Sequence, residues 1–155
     1  MRRCGFSLLE VVLVVAIVAV LAAIAIPRMS RGAKGGSETA LVADLRNLRD
    51  AVERYASDHD GQYPSNTVAA EQLTQYTDST GAFQANRDAK HRYGPYLRGI
   101  PPLPVGSRRG CVGIAKKSQA NDPGIGWIYD DETGAICANC SPGEVDSGGT
   151  AYAAY

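Results

Sequence analysis

The hydrophobic pattern divides the chain into an apolar run, a glycine-containing stretch and a longer mixed segment. The 21 residues from Phe6 to Ile26 include only two polar ones, Ser7 and Glu10. As a helix rising 1.5 Å per residue, the run is about 31 Å long, close to the thickness of one bilayer core. Such a segment needs lipid or other apolar helices around it. It also needs a partner for Glu10, whose charge would cost about 2.5–3.5 kcal/mol in a bilayer on insertion scales.

A second apolar pattern, with helical spacing, predicts an amphipathic helix over residues 37–60. Its positions follow one another at steps of four or three and share one helix face: Leu41, Leu45, Leu48, Val52 and Tyr55. Ser37 is a suitable N-cap, and Gly61 with Pro64 beyond it is a stop signal. Between the two patterns, Pro27 and three glycines disfavour a straight helix, because proline removes a donor and each glycine costs about 1 kcal/mol against alanine. We expect a kink at Pro27 and a flexible joint over residues 28–36.

The rest of the chain, residues 61–140 and a tail, predicts short elements among loops. Residues 66–77 have the pattern of a short helix, and residues 78–92 have that of a polar surface loop. Dense prolines over residues 93–104 exclude a helix or a central strand, so that segment should be extended. Alternation predicts a strand over Ile125–Tyr129, joined by a hairpin to a partner over 135–138, and residues 111–115 form another strand candidate. We expect Trp127 to anchor a small core and the tail, residues 141–155, to have little structure.

Composition narrows the functional classes. Lysine plus arginine equals aspartate plus glutamate at 16 each, so nothing suggests bulk attraction to nucleic acid. The roughly 120 residues beyond the apolar run are enough for one small domain. His59 and His91 are the only histidines, and the motifs of P-loop proteins, zinc proteases and serine hydrolases are absent from the sequence. We therefore expect a protein that is not an enzyme and does not bind nucleic acid.

Three cysteines lie beyond the start of the chain: Cys111, Cys137 and Cys140. In an exported domain they would meet an oxidising compartment, where disulfides persist. We favour one structural disulfide, either Cys137–Cys140 or one of these two to Cys111. A thioredoxin-like pair would sit at a helix N-terminus, whereas Cys137 closes a predicted strand. A structural zinc site usually needs four ligands, so the three cysteines would have to recruit a histidine.

The start of the chain resembles the class III signal of type IV pilins and type II secretion pseudopilins. The residues that carry the resemblance are Gly5-Phe6-Ser7-Leu8-Leu9-Glu10, followed by the apolar run. In that family a prepilin peptidase cuts after the glycine and N-methylates the new first residue. The resemblance therefore implies a leader of residues 1–5 and a methylated Phe6. It also implies that Glu10 sets assembly register by pairing with the α-amino group of a neighbouring Phe6, and that Pro27 kinks the helix.

Residues 55–64, with their Gly-x-Tyr-Pro turn, and the Gly-Pro-Tyr-Leu segment at 94–97 are similar to G-type pseudopilins. The resemblance implies an α+β, pilin-like fold, in which a long N-terminal helix is transmembrane over residues 6–27. Its second half would pack on a small antiparallel β-sheet within a domain over residues 37–155. The implied function is a structural subunit of a homo-oligomeric periplasmic filament, the pseudopilus, which works with other pseudopilins and an inner-membrane assembly platform. The subunit would be a single-pass inner-membrane protein with its C-terminal domain in the periplasm.

Other interpretations stay open at this point. A type IV pilus subunit, major or minor, is the alternative within the family. The basic start and apolar run also fit an ordinary secretory signal or a simple membrane anchor. A membrane-anchored exported thiol-redox or metal-binding protein that uses Cys137 and Cys140 is the alternative from another class.

Cofactors are not expected, with calcium as a secondary possibility that comes from the resemblance. G-type pseudopilins often bind calcium through their C-terminal loops, and hard oxygen ligands suit that ion. This chain has acidic side chains in the corresponding part: Asp122, Asp130, Asp131, Glu132, Glu144 and Asp146. It departs from the family's C-terminal pattern, however, and has cysteines there instead.

Overall fold

The computed structural model describes residues 7–155, except for the side chains of residues 24–33. The helices are α1 (Leu8–Asp58) and α2 (Ala69–Thr74). The strands are β1 (Tyr76–Thr77), β2 (Phe83–Gln84), β3 (Gly113–Ala115), β4 (Ile125–Tyr129) and β5 (Ile136–Ala138), with 3-10 turns at Lys117–Gln119 and Tyr152–Ala154. Contacts between residues divide the chain into two compact units, Met1–Gly36 and Ser37–Tyr155.

The predicted joint and kink fall inside α1. The backbone of α1 is helical through residues 28–36, where the sequence predicts a flexible joint. The side chain of Pro27 lies outside the described residues. Flexibility of the joint and a kink at Pro27 therefore stay predictions.

The second half of α1 packs against the rest of its unit through the predicted apolar stripe. None of its five side chains is more than 3 % exposed: Leu41, Leu45, Leu48, Val52 and Tyr55. They share one core with Leu103, Trp127 and Ile136. Because each fully buried aliphatic side chain stabilises a fold by about 1.5–3 kcal/mol, this stripe is what holds the helix on the rest of the unit. The prediction of an amphipathic stripe is confirmed, but Ser37, predicted as an N-cap, lies inside α1.

The C-terminal end of α1 is closed by two residues of positive φ. Asp60 has φ 55° and Gly61 has φ 81°. The amide of Gly61 donates to the carbonyl of Ala56 at 2.8 Å, which is the six-to-one bond of a Schellman motif. The stop signal read from Gly61 is correct, and Asp60 shares the left-handed turn with it.

The three-stranded sheet has the order β3-β4-β5 and is mixed. Strands β4 and β5 are antiparallel, with Trp127 opposite Ala138, which confirms the predicted hairpin. Strand β3 runs parallel to β4, whereas we predicted one small antiparallel sheet. Alternation of side chains reveals a strand but not its direction, so the sequence could not distinguish the two pairings. The overall class, an α+β fold with a long N-terminal helix, is confirmed.

Residues 66–92 differ from the prediction in two ways. Helix α2 covers only Ala69–Thr74, because Gln75 already has extended backbone angles, φ −119° and ψ 174°. Tyr76 and Thr77 then form β1, which pairs antiparallel with β2. The segment 78–92, predicted as a polar surface loop, thus contains strand β2. Asp78, the first residue of that segment, is only 1 % exposed.

Trp127 anchors the core as predicted. Its side chain is fully buried, and its Nε1 donates to the carbonyl of Pro101 at 2.8 Å. The neighbouring Tyr129 is also buried and donates its hydroxyl to the carbonyl of Pro64 at 3.0 Å. Both polar groups of these aromatic side chains are satisfied, as buried hydroxyls and indoles require.

The tail, residues 141–155, is structured, so the expectation of little structure was wrong. Val145 pairs with Ala151, and Tyr152 is only 5 % exposed. The amide and hydroxyl of Ser147 donate to the Glu38 carboxylate at 2.9 and 2.8 Å. The sequence of the tail has no periodic apolar pattern from which this structure could be predicted. The tail is held by a contact with Glu38 on α1, more than a hundred residues earlier in the chain.

Candidate functional site

The N-terminal part of α1 has no buried face in the single chain. Every large aliphatic residue between Leu8 and Leu21 is exposed, from 48 % at Val11 to 82 % at Leu8. A helix that is apolar on all sides belongs in lipid or in the core of an assembly. This surface, residues 8–21, is exposed in the single chain and needs an apolar environment around it.

Glu10 sits in the first turn of this apolar helix. The carbonyl of Ser7 accepts hydrogen bonds from the amides of Glu10 and Val11 at 3.0 and 3.2 Å, so the helix starts here. A carboxylate in a first turn is favoured by the helix dipole. Glu10 is exposed, and no ion pair joins it to another side chain that the structure describes. Its counter-charge in an apolar environment must therefore come from elsewhere.

The predicted cleavage and methylation residues, Gly5 and Phe6, lie outside the described residues, as does the side chain of Pro27. These three site assignments stay predictions. Of the predicted assembly residues, the structure describes Glu10 alone.

The three described cysteines are free thiols in this structure, so the predicted disulfide is not formed in it. All three, Cys111, Cys137 and Cys140, are partly buried. Cys137 lies in β5, and Cys140 follows the end of that strand. No helix begins here, which removes the dipole that activates thioredoxin-like pairs.

The environment of the two close cysteines disfavours thiol chemistry. Burial, with the nearby Glu144 carboxylate, raises the pKa of Cys140 to about 11. Burial also raises the pKa of Cys137, against smaller opposing effects of Arg49 and Lys117. Because the thiolate is the nucleophile and the metal ligand, both thiols are poorly reactive near neutral pH.

Two of the acidic side chains considered for calcium, Asp130 and Glu144, accept hydrogen bonds from the protein itself. The carboxylate of Asp130 accepts from the Glu132 amide at 3.0 Å and from the Thr133 hydroxyl at 2.9 Å. Glu144 accepts from the Ser141 amide at 2.7 Å and from the Ser107 amide. These backbone bonds hold the pKa of both carboxyls below the usual range. In the part of the chain that the structure describes, no group of three or more His, Cys, Asp or Glu side chains is placed to hold a metal ion.

A buried polar cluster at the end of α1 was missed by the sequence analysis. The buried carboxylate of Asp78 accepts from the Thr80 amide and hydroxyl at 2.8 and 2.7 Å and from the Ala82 amide at 3.0 Å. Its second oxygen lies 2.8 Å from the ammonium of Lys90, which is itself 71 % exposed. Lys90 first, then the Thr80 hydroxyl and the backbone amides, hold the pKa of Asp78 far below its usual range. The run Asp-Ser-Thr-Gly at 78–81 is an Asx-turn sequence and could have indicated this turn.

Comparison with protein families gives one match, at the start of the chain. Residues 1–26 match the prokaryotic N-terminal methylation motif. No curated protein and no solved structure matches the chain. The motif supports a type IV pilin-like prepilin subunit, which a prepilin peptidase processes and which assembles with other pilin subunits.

The motif is typical of a membrane-anchored subunit that faces the periplasm. Among the described residues, no helix is long and apolar enough to cross a membrane. Of the predicted span, residues 6–27, Phe6 and the side chains of residues 24–27 lie outside the described part of the chain.

Proposed function

We propose that this chain is a structural subunit of a periplasmic pseudopilus that drives type II protein secretion. The observation that carries the proposal is the apolar surface of residues 8–21, exposed on all sides and headed by Glu10 within a methylation motif. Such a surface suits two environments in turn, the inner membrane before assembly and the core of a helical filament afterwards. The function is structural, and no catalytic role is assigned to any residue.

In this proposal, assembly replaces lipid by the helices of neighbouring subunits. Apolar contacts alone would allow neighbouring helices to slide along one another, because one Val- or Leu-covered surface resembles the next. A charge in apolar surroundings is costly unless it is paired, so it restricts the helices to positions where the pair forms. Glu10 would thereby set the axial register of the filament.

The partner of Glu10 would be the α-amino group of a neighbouring Phe6. That amine exists only after the peptide bond between Gly5 and Phe6 is cut. Processing would also remove Arg2 and Arg3, two charges that oppose entry of this end into an apolar core. Cleavage and register are thus two steps of one mechanism in the proposal.

The choice of a pseudopilus over a type IV pilus rests on the unit Ser37–Tyr155. The turn after α1 and the extended segment at 94–97 resemble G-type pseudopilins. Both segments lie against the core: Pro64 accepts from Tyr129, and Tyr96 is 9 % exposed. A subunit of a type IV pilus would share the N-terminal mechanism and differ in where its filaments are found.

The substitution Glu10→Ala tests the register mechanism. We expect normal processing, because the cut is made at Gly5, together with lost or disordered filaments in cells that carry the assembly machinery. The matched control is Glu53→Ala, which removes an exposed carboxylate from the second half of the same helix and should leave filaments intact. Normal filaments from Glu10→Ala would contradict the mechanism.

Deleting the gene separates the pseudopilus from the pilus. Loss of protein secretion, with no filaments outside wild-type cells, supports the pseudopilus. Surface filaments that contain this subunit, together with unchanged secretion in the deletion strain, would assign the chain to a type IV pilus.

A further inference from the structure

His59 occupies an unusual place at the C-terminal end of α1. Its side chain is 5 % exposed, and both of its ring nitrogens contact backbone carbonyl oxygens. Nδ1 lies 2.8 Å from the carbonyl of Tyr55, and Nε2 lies 2.9 Å from the carbonyl of Asp78. Carbonyl oxygens only accept hydrogen bonds, whereas a neutral imidazole has one N–H donor and one bare acceptor nitrogen. Only the imidazolium, with two N–H groups, can donate to both.

We propose that His59 is a pH-sensitive clamp that fastens the Asp78 turn to the end of α1. As the imidazolium it donates one hydrogen bond to each carbonyl and joins the helix to the segment after β1. When one proton leaves, a bare nitrogen faces a carbonyl oxygen, one of the two bonds is lost and the link between the helix and the turn is weakened. The clamp does not depend on the proposed filament function.

Two features compensate the burial of a cation here. The Tyr55 carbonyl belongs to the last turn of α1, where unpaired carbonyls and the helix dipole favour positive charge. The ring of His59 stacks on the ring of Tyr55 with centroids 3.8 Å apart and planes at 6°, an arrangement that attracts a cation to the aromatic face. The ring centroids of Tyr93 and Tyr96 lie 5.3 and 6.5 Å from that of His59 and add two more aromatic neighbours.

The other titratable groups around His59 do not change their protonation state near neutral pH. Burial raises the pKa of Tyr55 and Tyr96, so both stay neutral hydroxyls. The Asp58 carboxylate accepts the Tyr96 hydroxyl at 2.9 Å, and the Asp78 carboxylate is held by Lys90. Histidine is the residue whose charge ordinarily changes between pH 5 and 8, so His59 is the group that would respond.

Release of the turn would loosen a defined segment. Residues 78–92 are attached to the rest of the unit by the pairing of β2 with β1, by the hydrogen bond from Gln72 Nε2 to the Gly81 carbonyl at 2.8 Å, and by the contact between His59 and the Asp78 carbonyl. The clamp fixes the backbone of Asp78 directly, so its loss removes one of these attachments and weakens the hold on the segment. The segment carries three trypsin sites, Arg87, Lys90 and Arg92.

The protonation state is tested by nitrogen NMR of the full chain in detergent micelles with labelled histidine. Only two histidines contribute, and the variant His91→Gln assigns the signals. Across about pH 5 to 9 we expect His59 to pass from two protonated nitrogens to one. A single protonation state of His59 over that whole range would overturn the proposal.

Limited trypsin digestion of the same sample tests the coupling. Cleavage at residues 87–92 is divided by cleavage at the exposed Lys116–Lys117 pair, which cancels the pH dependence of the protease itself. The ratio should rise about tenfold as His59 loses its proton, because cleavage follows the population of the open segment when opening is fast. A flat ratio across the NMR transition would overturn the proposal.

Two variants complete the test. His59→Gln cannot donate to both carbonyls in the same geometry and should give a high ratio at every pH. His91→Gln leaves the clamp intact and should keep the wild-type pH dependence. A wild-type profile in His59→Gln, or a flat one in His91→Gln, would contradict the assignment to His59.

Discussion

Replacing Leu48 by alanine tests whether the apolar stripe of α1 holds the helix on the sheet. Leu48 is fully buried in the core that also contains Trp127 and Leu103. Alanine in its place removes buried apolar contacts and leaves a cavity, for which leucine-to-alanine changes cost about 2–5 kcal/mol. Because Leu48 is completely buried in this core, we expect about 3 kcal/mol, within that range.

This loss converts to a large thermal shift. For a unit of roughly 120 residues, 1 kcal/mol lowers Tm by about 4 °C, so Leu48→Ala should unfold about 12 °C below wild type. The assay is the fluorescence of Trp127 in the full chain in detergent, heated or titrated with urea. Because Trp127 is the single tryptophan, the signal reports the unit that contains the core.

The matched control is Val42→Ala on the same helix. Val42 is 51 % exposed, and its truncation should change the free energy of unfolding by no more than about 0.5 kcal/mol. If Leu48→Ala and Val42→Ala unfold at the same temperature, the stripe does not hold α1 on the sheet, and the packing argument fails.

Two further predictions concern ionisable groups. The pKa of Asp78 is depressed in the folded state, so its contribution to stability is complete above about pH 4, the unfolded value, and is lost as the pH falls further. Asp78→Asn should therefore be less stable at pH 7 by about 1.5–3 kcal/mol, and its stability in urea titrations should fall less steeply below pH 4. The same acid dependence in wild type and variant would contradict the role of the carboxylate. Burial raises the pKa of Cys140 to about 11. In the reduced chain at pH 8, Cys140 should therefore react with a maleimide on the order of a hundredfold more slowly when the chain is folded than when it is unfolded in urea. Equal rates in the two states would show that the thiol is not buried as described.

Local patterns in the sequence predicted the elements whose order is local. The stripe from Leu41 to Tyr55 repeats at helical spacing, and Gly61 ends it, so the second half of α1 was correctly predicted. The alternation over Ile125–Tyr129 and the turn after it gave the β4–β5 hairpin for the same reason. In both cases neighbouring residues determine each other's position.

The parts that the sequence analysis missed depend on partners that are distant in the chain. Asp78 looks like a polar loop residue, and its burial requires Lys90 and the end of α1. Tyr152 is buried in a tail of small and polar residues because Ser147 reaches Glu38 on α1. The parallel pairing of β3 with β4 likewise has no local signature.

The N-terminal site was predicted from a motif, which is why it could be named residue by residue. Glycine, glutamate and an unbroken apolar run at fixed spacing gave Gly5, Phe6 and Glu10 their assignments. The structure adds that the aliphatic side chains of residues 8–21 are exposed in the single chain. In the proposed function, that exposure is the physical reason for the subunit to assemble.

The most direct test of the central claim is the intact mass of the protein purified from its own cells. A prepilin-type subunit predicts a chain that begins at Phe6 and carries one added methyl group. A chain that retains Met1, or one cut near Ala25 at the end of the apolar run, would contradict it. In the first case Phe6 would have no free amine and Glu10 would lack its partner, and in the second case the mature chain would contain neither residue.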